Sequence, residues 1–329
     1  MTTKSAQVTK KVEPAPILAR MTDQAAEARI RVLRNIEALG LNDNLFDLET
    51  QGFTVLKGVL SGDQITRAKS AILRRLEKTT GKKVDPEGGA SDDFYGMGYQ
   101  PYLIFDDAVF PEILLEKKPL ALMYYLLGES CVLSSMGSHF RGPGGLPLSA
   151  HVDSIPVGMT DVAMVANCNF ALTPYSRDAG ALMMFPGSHR KLRGPTQHEN
   201  WMFGGETVPE VVAKNLPTEE LDSIEWTAPA GAVTMNLDPG DAVVWHGNSW
   251  HAGWRRDIPG ARINLACYFC RPYLATQERR GDDRYPEVFE SYANDPQFAQ
   301  LMGQQSFNGW REEGPDLTSA KYLPSGLYD

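Results

Sequence analysis

The spacing of apolar and polar positions changes character near residue 131. Before it, residues 22–39 carry apolar side chains at helical spacing and stop at Gly40, while residues 61–78 follow a serine suited to capping and stop near Gly81. Residues 107–127 read as two short helices split by Pro119. From Cys131 onward the apolar residues come in short runs separated by Gly and Pro, which predicts strands at about 131–140, 148–154, 161–172, 181–185, 231–235, 241–246 and 262–271. Many short strands with helices held to their flanks predict a mainly β fold with flanking α. The expected architecture is a double-stranded β-helix, the jelly roll of cupin-like proteins, with N-terminal and C-terminal helices and a core at about 131–272.

No linker or internal repeat divides the chain, so residues 21–329 are expected to form a single domain. Residues 1–20, with Lys4, Lys10, Lys11, Pro14 and Pro16, read as a mobile tail. A net charge of −9, from 41 acidic and 32 basic residues without a basic block, argues against a nucleic-acid partner. No run approaches the roughly 20 apolar residues of a membrane span, and the first twenty residues lack the apolar core of a signal peptide, so a cytoplasmic protein is expected. Cys131, Cys168, Cys267 and Cys270 lie in apolar strand-like runs, which suits buried, reduced thiols. Cys267 and Cys270 are three apart on a strand and face opposite ways, which argues against a paired thiol site.

Two short stretches carry the chemistry. In His151-Val152-Asp153, strand alternation projects an imidazole and a carboxylate to one side, ready to share a cation. The loop Gly142-Pro143-Gly144-Gly145-Leu146-Pro147 delivers the chain into that strand. A hundred residues later the turn Asp238-Pro239-Gly240-Asp241 leads into the buried run 242–246, then His251, then a turn at 257–260 from which Arg262 returns. If His251 reaches the first pair, a two-His-one-carboxylate set forms and leaves three positions of an octahedral ion open. His246, five residues earlier, is an alternative third ligand. His189 reads as a turn side chain bonding nearby backbone, His139 as strand packing or cavity lining, and His198 as surface.

From about residue 48 to about 272 the chain resembles the phytanoyl-CoA dioxygenase family of Fe(II)/2-oxoglutarate oxygenases. The resemblance rests on the HxD stretch, on the opening run 51–60, on Gly180-Ala181-Leu182, on Pro186-Gly187-Ser188-His189, and on Gly240-Asp241 ahead of the distal histidine. It implies that His151, Asp153 and His251 hold iron and that Arg262, eleven residues after His251, takes the far carboxylate of 2-oxoglutarate. It favours His251 over His246, because only His251 leaves that spacing. A planar guanidinium suits such a carboxylate by bidentate pairing. Asn264 shares the face of Arg262, and Asn167 and Asn169 alternate along their strand, either facing the co-substrate cavity or serving as ordinary strand polars.

The implied reaction consumes 2-oxoglutarate and O2, releases succinate and CO2, and oxidises an aliphatic C–H by hydroxylation or desaturation. Related halogenases have a small residue where Asp153 stands, so the carboxylate argues against halogenation. The substrate implied is an apolar or amphipathic small molecule: a secondary metabolite, a lipid-like compound or an acyl-CoA. The aromatic, Gly-rich segment 93–102 and the insert 191–225, with Trp201, Met202 and Phe203, read either as loops over the jelly-roll mouth or as edge packing. Arg190, Lys191 and Arg193 read as phosphate contacts for a CoA thioester or as a solvated turn. The alternative function is a cupin-like metal-binding protein or enzyme that does not use 2-oxoglutarate.

Overall fold

The computed structural model describes residues 16–83, 85–88, 97–154, 158–203, 206–207, 215–279, 290–292, 294–304, 310–311 and 314–315. Helices α1 (Pro16–Ala38), α2 (Asn42–Gln51), α3 (Gly62–Thr80), α4 (Val109–Leu114) and α5 (Lys117–Leu127) lie in the N-terminal part. Residues 16–20, expected in the tail, begin α1, and residues 1–15 lie outside the described residues. Ser61 caps α3 through a reciprocal capping box with Gln64, and Gly81 closes it at φ 72°. Pro119 does not split a helix. It sits in the first turn of α5, where a missing N–H costs nothing because first-turn donors have no intrahelical partner, and the break falls earlier, at Leu115 and Glu116.

The strands in chain order are β1 (Phe53–Leu56), β2 (Met97–Gln100), β3 (Val132–Arg141), β4 (Leu148–His151), β5 (Val165–Ala171), β6 (Leu182–Met184), β7 (Met202–Phe203), β8 (Glu206–Thr207), β9 (Trp226–Thr227), β10 (Val233–Thr234), β11 (Ala242–His246), β12 (His251–Gly253) and β13 (Asn264–Cys270). One antiparallel sheet runs β1-β11-β5-β13-β3-β2 and a second runs β10-β6-β12-β4. The two sheets make the jelly roll. Period-two alternation divides the larger sheet: Leu265, Cys267 and Phe269 of β13 join Ile36, Ile72, Phe110 and Leu122 in a core beneath the helices. Asn264, Ala266 and Tyr268 point the other way, into a cavity between the sheets. All four cysteines are buried and none is in a disulfide, and Cys168 and Cys267 are direct cross-strand partners in the helix-side core.

The insert after β6 builds a small sheet, β8-β7-β9. Trp201 is no lid residue: it is 3% exposed, its ring centroid lies 5.0 Å from that of Trp254, and its indole N–H donates to Leu148 O at 2.7 Å. The side chains of Met202 and Phe203, and residues 93–96 of the aromatic segment, lie outside the described residues.

Asp241 ties β1 to β11. Its carboxylate accepts from Lys57 Nζ at 2.7 Å and from the backbone N–H of Gly58 and Asp238 at 2.9 Å each. Burial pushes its pKa up, but the Lys57 bond and the two N–H donors outweigh that and hold it below the ordinary 3.8. A depressed folded pKa means stability that is present above that ordinary value and lost as pH falls through the lowered one. Asp241→Asn is expected to cost about 2 kcal/mol at pH 7, the worth of one hydrogen bond to a charged group. Urea melts of the two proteins should converge toward acid pH; a constant gap from pH 7 to pH 3 would refute this account.

Candidate metal centre

His151 ends β4 and His251 begins β12, and the antiparallel register sets them directly opposite each other. Their ring centroids are 4.1 Å apart. Each ring places Nδ1 against the carbonyl two residues earlier, His151 on Ser149 O at 2.8 Å and His251 on Ser249 O at 3.2 Å. Those contacts assign the proton to Nδ1 and leave both Nε2 lone pairs for a cation. Burial and the neighbouring His151 push the His251 pKa down to about 4, against the opposing pull of Asp153, so the imidazole is neutral near pH 7. Asp153 Oδ2 lies 3.8 Å from His251 Nε2, and ligand atoms of the three residues all fall within 4.8 Å of one another. Two imidazoles and a carboxylate at that separation fit a divalent first-row metal.

Strand alternation does not place Asp153. The strand expected over 148–154 ends at His151, and Asp153 stands in a turn. Tethers to other elements hold it: its N–H and that of Ser154 donate to Gly247 O at 3.1 and 3.2 Å, and Tyr268 Oη donates to its carbonyl at 3.0 Å. Gly247 has to be glycine, since a Cβ there would stand 2.5 Å from Val165 O and 2.7 Å from Ser154 Oγ.

Arg262 lines the same cavity, whose volume is about 340 Å³, together with His139, Asn169, Asn264 and a second buried arginine, Arg141. It precedes β13, where its backbone bridges that of Arg141. Its Nη1 donates to Gly180 O at 2.7 Å and Nη2 to His139 O at 3.1 Å, which fixes the plane of the guanidinium. Its buried Nε has no partner among the described residues. A buried donor left over in a polar cavity fits an incoming carboxylate. Asn264 donates to Asn169 Oδ1 at 3.0 Å and accepts from His139 N at 2.7 Å, so both asparagines stand at the arginine end. Asn167 does not: its amide donates to Asp153 Oδ2 at 2.7 Å.

The remaining histidines separate cleanly. His246 turns away from the triad and lines another cavity with His189, their centroids 5.7 Å apart. His139 lies between the triad and Arg262, stacked on Tyr99 at 4.7 Å; burial and Arg262 push it down to about 4. His198 is exposed. Arg193 pairs with Glu199 at 2.7 Å, Lys191 sits 4.0 Å over the Trp250 ring, and Arg190 bonds Glu49 O, so these cations are engaged in the fold. Gly253 makes room for Leu148, whose Cβ would lie 3.3 Å from an added Cβ.

Sequence reasoning overlooked Trp245, Tyr268 and Arg141. Tyr268 was reachable by continuing the period of two from Arg262 through Asn264, and Trp245 by applying it within the run 242–246.

Fold and site together define a jelly-roll oxygenase that depends on iron and 2-oxoglutarate. The chain belongs to the phytanoyl-CoA dioxygenase family, whose model matches residues 48–256, and is an Fe(II)/2-oxoglutarate-dependent dioxygenase. That stretch includes His151, Asp153 and His251 and stops six residues short of Arg262. A dioxygenase of Aspergillus fumigatus, Dioxygenase af480, is 27% identical over 298 residues, covering 87% of this chain and 84% of the relative. Among solved structures, HygX from Streptomyces hygroscopicus with nickel and 2-oxoglutarate bound superposes with a TM-score of 0.51 at 17% identity, over 74% of this chain and 94% of that one, a likeness of fold. Among the described residues no helix is long and apolar enough to cross a membrane.

Proposed function

We propose that His151, Asp153 and His251 hold the iron, that Arg262 takes the far carboxylate of 2-oxoglutarate with Asn169 and Asn264 beside it, and that the enzyme oxidises an aliphatic C–H of an apolar or amphipathic small molecule. The observation that carries this reading is the single cavity lined both by the triad and by Arg262. Iron(II) bound there with 2-oxoglutarate and O2 supplies an oxidative decarboxylation, to succinate and CO2, strong enough to remove hydrogen from an unactivated carbon. The chain's own residues do the rest. The imidazoles present Nε2, Arg262 orients the dicarboxylate, and the buried wall formed by Trp245, Leu182 and Ala252 limits water. Beyond the triad, Tyr99, Ser135, Tyr268 and Gln277 line the outer part of the cavity, where the substrate would lie. With Arg190, Lys191 and Arg193 already engaged, a secondary metabolite or lipid-like molecule suits the site better than an acyl-CoA. We place the protein in the cytoplasm, since four buried cysteines outside any disulfide suit a reducing compartment.

The decisive experiment is anaerobic loading with Fe(II) followed by exposure to O2 and 2-oxoglutarate. Succinate formation, even uncoupled, supports the reading; its absence would favour a metal-binding protein that does not use 2-oxoglutarate. With a substrate in hand, product made under 18O2 in chloride buffer should carry label if hydroxylated or lack two hydrogens if desaturated. A chlorinated product would overturn the role given to Asp153.

A further inference from the structure

We propose that Asn167 and Trp245, assisted by Tyr268, are positioning residues that hold the Asp153 carboxylate beside the two imidazoles, in the orientation a cation needs. The inference rests on the reading of Asp153 as a metal ligand.

A ligand on a strand is aimed by its own backbone, but Asp153 is not on a strand. A carboxylate on a turn has a broad two-fold torsion about its last bond and would sample several orientations. Here one cross-strand row supplies the constraint. Trp245 of β11, Asn167 of β5, Tyr268 of β13 and Ser135 of β3 are successive partners in register, all lining the cavity. Three of the four bond Asp153. Asn167 Nδ2 donates to Oδ2 at 2.7 Å, Trp245 Nε1 donates to the same oxygen at 3.0 Å, and Tyr268 Oη donates to the backbone carbonyl at 3.0 Å.

Two N–H donors on Oδ2, the oxygen 3.8 Å from His251 Nε2, fix the carboxylate at the metal side of the cavity. The same pair opposes rotation of the carboxylate away from the two imidazoles. Trp245 is further fixed by its packing, with its ring 5.2 Å from that of His251. The two asparagines of β5 thus divide the cavity: Asn167 serves the metal side and Asn169, through Asn264, the arginine side. Groups that orient metal ligands typically contribute 10–100-fold in metal affinity, which sets the expected effect.

Mn(II) titration into the purified full chain, followed by calorimetry and by EPR line shape, tests this directly. Trp245→Phe and Asn167→Leu should each weaken Mn(II) binding about tenfold or more and alter the line shape of the bound ion, with Tyr268→Phe changing both less. A purely structural role would lower the melting temperature of the metal-free protein and leave Mn(II) affinity and line shape as in the parent; that result overturns the proposal. Trp245→Phe and Tyr268→Phe keep their rings, so the question stays decidable if Asn167→Leu does not fold. Asp153→Ala separates the two readings. If it binds Mn(II) like the parent, the metal site itself is misassigned. If it loses the ion while Trp245→Phe and Asn167→Leu bind normally, only the positioning role fails.

Discussion

Replacing His251 by alanine is expected to abolish stoichiometric Fe(II) binding and the turnover of 2-oxoglutarate, whereas His246→Ala keeps both. His251 faces His151 across the β4–β12 register with its Nε2 available. His246 is committed elsewhere: its Nδ1 accepts from Asn248 N at 3.0 Å, and burial, with His189 and Arg271, pushes its pKa down to about 3. A triad missing one imidazole keeps a single histidine and a carboxylate, too few donors to retain a labile divalent ion against water. Anaerobic Fe(II) titration of the two variants decides the matter. If His251→Ala retained iron and His246→Ala lost it, the third ligand would be wrongly assigned.

The second large effect is expected at Arg262. Its guanidinium is buried in the cavity wall and bonded on two nitrogens to backbone carbonyls, while Nε has no partner among the described residues. Arg262→Ala should cost about 2–5 kcal/mol in co-substrate binding, the range for removing one partner of a desolvated charge pair. That is a rise in the KM for 2-oxoglutarate of about 30-fold at the least. Arg262→Lys should restore only part of it, because an ammonium lacks the planar fork. Iron binding should be unaffected, which separates this variant from His251→Ala. An unchanged KM in Arg262→Ala would move the co-substrate carboxylate elsewhere, with Arg141 the next arginine in the cavity.

Much of this was legible in local spacing. The run 242–246 and the strand ending at Cys270 show their period and their bounding turns in the sequence, and the structure places strands there within a residue or two. Where the structure differs, distant partners or helix position decided. Pro119 was read as a breaker because its missing N–H matters in a helix interior, and the actual helix begins only two residues before it. For Trp201 the sequence leaves a loop over the mouth and edge packing open, because the partners that bury it, Trp226 and Trp254, lie 25 or more residues away. Asp153 was placed by strand alternation, and the strand stops before it.

What the sequence displayed by itself was the set of candidate donors. A His-x-Asp pair, a distal histidine and an arginine eleven residues later are chemistry that chain order alone displays, and the alternation of β13 already assigns Asn264 to the face opposite Leu265. Only the tertiary structure decided how the donors meet. The His151–His251 register depends on pairing two strands a hundred residues apart, and the orientation of Asp153 depends on a row of side chains from three other strands. Local periodicity describes which way a side chain leaves its own strand. It carries no information about the strand that will lie opposite, because that choice is made by burial of the whole sheet face and by closure of loops whose entropic cost grows only slowly with length.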